Sequence, residues 1–172
     1  DGGARLFKVH GPHMLVNPND YLGPHPALRD LYEVAQARGI PVMFHTGTSI
    51  FRGARSKHGD PLMLEDLGVD FPDLAVVIAH GGRPFWTEEA FFLLRRFPRF
   101  FLDLSGIPPA RVLAWFPRIE EIADRVLFGT DWPSPGVPSI AKNLADLRAL
   151  PLPAAVIERF LSGNALRLFP PA

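Results

Sequence analysis

A chain of 172 residues with 47% hydrophobic side chains is long enough to bury one sizeable core and too apolar to be a disordered segment. Its 18 basic and 18 acidic residues cancel, and no Lys/Arg run appears, which argues against nucleic acid as a partner. Cysteine is absent, which excludes disulfides and thiolate metal sites, and no apolar run approaches the roughly 20 residues that span a bilayer, which argues against a membrane partner.

In chain order, a short strand over 5–9 ends beside His10. Residues 11–26, rich in Pro, Asn, Asp and Gly, read as a long loop. Leu28, Leu31, Tyr32 and Ala35 recur at the helical period and predict a helix over 27–38, stopped by Gly39. Residues 40–45 are nearly all apolar, as in a strand covered on both faces. A polar loop over 46–60 carries Arg52, Arg55, Lys57 and His58. A short helix over 61–67, a strand over 74–80, a helix over 88–97 ended by Pro98 and a strand over 100–104 follow. Helical pieces over 109–116 and 118–123 lead into a last strand over 126–130, and helices over 139–149 and 154–162 precede a stub that ends at Phe169. Five strands alternating with helices predict an α/β fold with a parallel sheet of strand–helix–strand units. Such a sheet is either open and doubly wound or part of a barrel; no GxGxxG favours the first, and five strands fall short of the eight of a complete barrel.

Three of these apolar runs stop at a residue that binds metal or moves protons: Val42-Met43-Phe44 at His45, Ala75-Val76-Val77-Ile78-Ala79 at His80, and Val126-Leu127-Phe128-Gly129-Thr130 at Asp131. Parallel α/β folds gather their chemistry at the carboxyl ends of strands, so the three are expected to converge. Without a thiol, a metal would be held by imidazole and carboxylate, and a catalytic zinc needs about three protein ligands and an open position. His45, His80 and Asp131 meet that count; Asp131 could equally be a base or a structural carboxylate, and His80 a ligand or an acid/base group. Around them, His10 ends the first strand and faces the same pocket on this reading, Arg52, Arg55 and His58 could take an anionic substrate group, and Trp132 could wall the site. Asp103 also ends a strand, with its direction left open.

The blocks Pro41-Val42-Met43-Phe44-His45-Thr46-Gly47, Val77-Ile78-Ala79-His80-Gly81-Gly82 and Val126-Leu127-Phe128-Gly129-Thr130-Asp131-Trp132-Pro133 resemble the amidohydrolase superfamily, in its amidohydrolase-related branch, which includes aminocarboxymuconate-semialdehyde decarboxylase. The ending Asn164-Ala165-Leu166-Arg167-Leu168-Phe169 is similar to that branch's C-terminal block. The resemblance implies a metal-dependent (β/α)8 TIM barrel in which His45 is the fifth-strand metal ligand, His80 the sixth-strand histidine, either second ligand or acid/base, and Asp131 the eighth-strand aspartate at the metal. The superfamily's first-strand His-x-His or Glu-x-His pair has no counterpart here, and His10-Gly11-Pro12-His13 matches the end of the fourth strand instead.

Residues 1–172, opening at Asp1-Gly2-Gly3 without Met, are therefore expected to be the C-terminal portion of such a barrel, about strands four to eight with their helices. The implied activity is hydrolysis of an ester, lactone or amide of a small molecule, with Asp131 as base, His80 assisting and a divalent metal, zinc before manganese, as cofactor. Non-oxidative decarboxylation by a carboxy-lyase and a non-catalytic half-barrel are the alternatives. A missing N-terminal half or a second copy is expected to cover the open barrel, and the location is expected to be cytoplasmic.

Overall fold

The computed structural model describes residues 3–135 and 137–170; the opening Asp1-Gly2 lies outside them. Five parallel strands form one sheet: β1 (Phe7–Val9), β2 (Val42–His45), β3 (Val76–Ala79), β4 (Phe100–Asp103) and β5 (Val126–Leu127), and their order in the sheet is their order in the chain. An unreversed order means that every crossover advances the same way, and right-handed crossovers then lay their helices on one side of the sheet. A doubly wound sheet, whose order reverses, is thereby excluded. The helices begin with a four-residue turn, α1 (Gly11–Met14), inside the expected loop. They continue with α2 (Ala27–Ala37), α3 (Glu65–Asp70), α4 (Thr87–Arg96), α5 (Pro109–Trp115), α6 (Ile140–Arg148), α7 (Ala154–Glu158) and α8 (Asn164–Leu168). Among the described residues no helix is long and apolar enough to cross a membrane.

The register divides the strand residues into two sets. Phe7 pairs with Val42, Val42 with Val76 and Val76 with Phe100, so these side chains share a face. Val9, Phe44, Ile78, Leu102 and Val126 continue it, and all belong to the buried core formed with Tyr32, Leu67, Leu93, Leu94, Phe116 and Phe160. The opposite set begins at Lys8 and Met43 and ends at His45 and Asp103. One face of the sheet thus supplies the hydrophobic stabilisation, and the other is left to carry polar groups.

The C-terminal block holds the last strand in place. Asn164 is fully buried, and its amide donates to the carbonyls of Ala123, at 2.9 Å, and Val126, at 2.7 Å. Its own oxygen accepts from Arg167 at 2.8 Å. Phe160 accepts the backbone N–H of Phe128 at 2.9 Å. The strand expected over 126–130 is paired only at Val126–Leu127, because beyond it the chain bonds to Phe160 rather than to the sheet. Replacing Asn164 with Ala leaves two buried carbonyls unpaired and should cost about 2–4 kcal/mol of folding stability. Denaturant unfolding measures this; a loss below about 0.5 kcal/mol would show the clamp to be dispensable.

Candidate active site

His45 is the last residue of β2 and is buried. The next residue, Thr46, welds this strand end to the following one: its hydroxyl donates to the Ala79 carbonyl and accepts from the Gly82 N–H, both at 2.7 Å. His80 was expected as the end of a strand over 74–80. Instead β3 stops at Ala79, and His80 opens a tight turn at φ 67°. Asp131 follows β5 at φ 60°. Both residues occupy the left-handed region, which costs a non-glycine residue roughly 1–2 kcal/mol. Two such positions among few, both bearing titratable groups, mark a place where the backbone is held for the sake of its side chains.

A cavity of about 580 Å³ opens at this end of the sheet. His10, His45, His80, Asp131 and Trp132 all line it. The rings of His10 and His45 stack with centroids 4.1 Å apart, and those of His45 and His80 meet edge to face at 4.7 Å. Arg52, Arg55 and His58 are not among its lining residues. Arg52 and Arg55 are exposed, and His58 is tied to Asn17, its Nδ1 2.8 Å from the amide oxygen. The loop over 46–60 reaches the cavity through Thr48, Ser49, Ile50 and Phe51 instead. Trp86 packs against Phe85.

Three lining or neighbouring groups were not singled out from the sequence, or only weakly. Arg83 lines the cavity and donates through Nε to the Gly106 carbonyl at 2.6 Å. Lys8 lines it too, and also a second cavity of about 360 Å³ on the same side of the sheet. Lys8 precedes His10 by two residues, so strand alternation puts the two on one side, and that spacing was the available signal. Asp103 is buried and accepts the Ser105 hydroxyl and, at 3.1 Å, the Ser105 N–H. Its neighbour Gly129 is a space requirement: an added Cβ would lie 2.7 Å from Asp103 Oδ1.

Burial sets the protonation states. Desolvation, then the positive charge shared with His80, His10 and Lys8, drives the His45 pKa down to about 3. His80 falls to about 3 as well, again chiefly by desolvation. Desolvation also lowers the His10 pKa and raises that of Asp103. Lys8 is lowered by desolvation and drawn back by Asp103 and Asp131. At neutral pH the site thus holds uncharged imidazoles with lone pairs. His80 Nδ1 faces the Ser105 carbonyl at 2.7 Å, so that nitrogen carries the proton and Nε2 is the free one. His45 Nε2 faces the Thr48 carbonyl at 3.3 Å, which leaves Nδ1 free.

Neutral imidazoles beside a carboxylate suit a divalent metal in chemistry. As they stand they do not form a complete site: among the described residues no group of three or more His, Cys, Asp or Glu side chains is arranged to hold an ion.

A family model described as amidohydrolase matches residues 2–170. No curated relative matches the chain. Among solved structures, an uncharacterised TIM-barrel protein from Bordetella bronchiseptica shares 28% identity at a TM-score of 0.77, over 96% of this chain and 57% of that one. A putative metal-dependent hydrolase from Lactobacillus casei shares 24% at a TM-score of 0.60, over 83% of this chain and 43% of that one. The 5-carboxyvanillate decarboxylase LigW from Sphingomonas paucimobilis shares 20% at a TM-score of 0.60, over 84% of this chain and 53% of that one. The last two are likenesses of fold. The chain spans less than two thirds of the length of each of these structures.

The depressed histidine pKa values carry a stability signature. The unfolded chain takes up protons at these side chains below about 6.5, and the folded chain refuses them until about 3. The stabilisation is fully present above the unfolded value and is lost progressively as pH falls toward the folded one. Unfolding free energies measured between about pH 7 and pH 4 should decline, and His80→Asn should remove roughly half of the decline due to the pair. Asp103 acts in the opposite sense but is common to both proteins. An identical decline in the variant would contradict the buried, neutral state of His80.

Proposed function

The chain belongs to the amidohydrolase family, and we propose on that premise that it is the C-terminal portion of a metal-dependent hydrolase, equivalent to about strands four to eight of a (β/α)8 barrel. The observation that carries the reading is the meeting of His45, His80 and Asp131 on one cavity, with both imidazoles held uncharged. A divalent ion, zinc before manganese, would be held by His45 Nδ1, His80 Nε2 and Asp131, together with donors from outside the described residues. When bound, it supplies Lewis-acid chemistry, a more acidic water and a polarised carbonyl.

The protein's own groups do the rest. Asp131, at the solvent-open edge of the cavity, takes the proton from the water that attacks an ester, lactone or amide carbon. His80 is fixed by the Ser105 carbonyl, so its free nitrogen points one way without rotamer loss. His10, stacked on His45, holds that ring in plane and borders the bound substrate. Trp132, half exposed at the mouth, keeps bulk water from the reacting carbon. A carboxy-lyase of the same branch would call on His80 as proton donor instead, and the product released separates the two reactions.

The sheet's lateral edges are β1 and β5, and its polar side carries Lys8, Met43 and the second cavity. Unpaired strand edges invite a partner. On this reading the remaining barrel strands, or a second copy of the chain, cover them.

Metal content after dialysis tests the incomplete ligand set. The 172-residue chain alone should keep well under one zinc per chain and show no turnover. Stoichiometric metal with turnover by a monomer would mean that its own residues, His10 or His13 among them, complete the site. In a longer polypeptide containing this segment, added zinc should support cleavage of an ester or lactone, and Asp131→Asn should lower it about 10²–10⁴-fold. Carbon dioxide release from an aromatic acid without ester cleavage would assign the lyase instead.

A further inference from the structure

We infer that Asp103, acting through the Ser105 hydroxyl, is a positioning residue for His80: it holds the hydroxyl proton away from the imidazole, so that Nδ1 meets acceptors only and Nε2 keeps its lone pair. What that lone pair serves rests on the hydrolase reading; the arrangement of the protons does not. Asp103 is the last residue of β4 and pairs with Ala79, the residue before His80, so its carboxylate arises beside the turn. It is buried, and the proposed reaction makes no use of it.

Both carboxylate oxygens are committed to one residue. Oδ1 accepts the Ser105 N–H at 3.1 Å, and Oδ2 accepts the Ser105 hydroxyl. A serine hydroxyl has one proton to give and two lone pairs. With that proton on Asp103, Oγ lies 3.1 Å from His80 Nδ1 and can meet it only as an acceptor. The Ser105 carbonyl, 2.7 Å from the same nitrogen, is an acceptor too. Nδ1 therefore faces two acceptors and no donor, and it carries the imidazole proton. A hydroxyl released from Asp103 can turn its own proton to Nδ1. The imidazole proton then moves to Nε2 and blocks the lone pair there.

The packing keeps these groups in contact. A Cβ at Gly129 would lie 2.7 Å from Asp103 Oδ1 and 2.9 Å from Ser105 Cβ. One at Gly106, whose φ is +66°, would lie 3.1 Å from His80 Nδ1. Two glycines thus leave the room in which Asp103, Ser105 and His80 close up. The Oδ1 contact alone has the form of a common turn, in which an aspartate bonds the N–H two residues on. Such a turn has no need of Oδ2 on the hydroxyl, nor of the hydroxyl on the imidazole. Those two contacts are the ones that set the tautomer, and partners of this kind orient histidines that ligate metals.

Nitrogen NMR of isotopically labelled histidine side chains, on the chain in EDTA at neutral pH, reads the tautomer without metal, and His80→Asn assigns the signal. The wild type should show His80 protonated at Nδ1. Asp103→Asn keeps the shape but replaces one acceptor with an NH2 donor, so the Ser105 hydroxyl has to turn. At least about 10% of His80 should then carry its proton on Nε2. Adding Ser105→Ala removes the turning hydroxyl, leaves the carbonyl, and should restore the wild-type signal; a purely structural role for Asp103 gives no such rescue. If Asp103→Asn does not fold, Asp103→Ala, which leaves the hydroxyl without its acceptor, should shift the signal the same way. A wild-type His80 protonated at Nε2, an unchanged signal in the Asp103 variant that folds, or a double variant that behaves like the single one would each overturn the inference. Zinc titration of the longer polypeptide reports on the hydrolase reading alone, so the two can fail separately.

Discussion

The turn at His80 governs the site. A histidine in left-handed conformation is unfavourable on its own, and here it is held from two directions. The Thr46 hydroxyl bridges Ala79 and Gly82 across the turn, and the Ser105 carbonyl takes the imidazole N–H. These bonds connect the ends of β2, β3 and β4, so three strand termini form one rigid rim. Loss of the turn would release His80, shift Arg83 behind it and free the Thr48 carbonyl that both His45 and Arg83 touch. The energy for this strain comes from the opposite face of the sheet, where Phe44, Ile78, Leu102 and Val126 are buried with the helices.

This division of labour also explains the electrostatics. With the apolar core on one side, the ionisable groups crowd onto the other, and burial at the strand ends strips them of water. Imidazoles respond by giving up their protons, which leaves a lone pair free for a metal. Asp131 stays at the open edge, whereas the buried Asp103 is engaged by Ser105. Asn164 and Arg167 act at a distance by pinning the segment that leads to β5, and with it the approach to Asp131.

Much of the fold was legible because buried parallel strands are written as apolar runs, and the runs ending at His45, His80 and Asp131 stand out for being interrupted by polar groups. What the sequence could not convey was backbone curvature beyond the strands. Arg83 sits three residues past His80 in what reads as a connecting loop, and only the glycine-rich turn returns it to the cavity. Arg52 and Arg55 drew attention through charge alone, yet the loop turns their side chains to solvent and presents Ile50 and Phe51 inward. For Lys8 the signal was its two-residue spacing from His10, since the three-residue β1 offers little alternation of its own. The loop over 11–26 concealed a helical turn because Pro12 at its start and His10 as its cap are signals that also occur in turns.

Whether His45, His80 and Asp131 serve one ion is the question on which the functional reading turns. Anomalous scattering at the zinc edge, from crystals of a longer polypeptide containing this segment grown with zinc, answers it directly. A peak about 2.0–2.2 Å from His45 Nδ1 and from a further donor of His80 or Asp131 is the expected result. Zinc bound elsewhere, at His13 or His58, with this cavity empty of it, would contradict the reading.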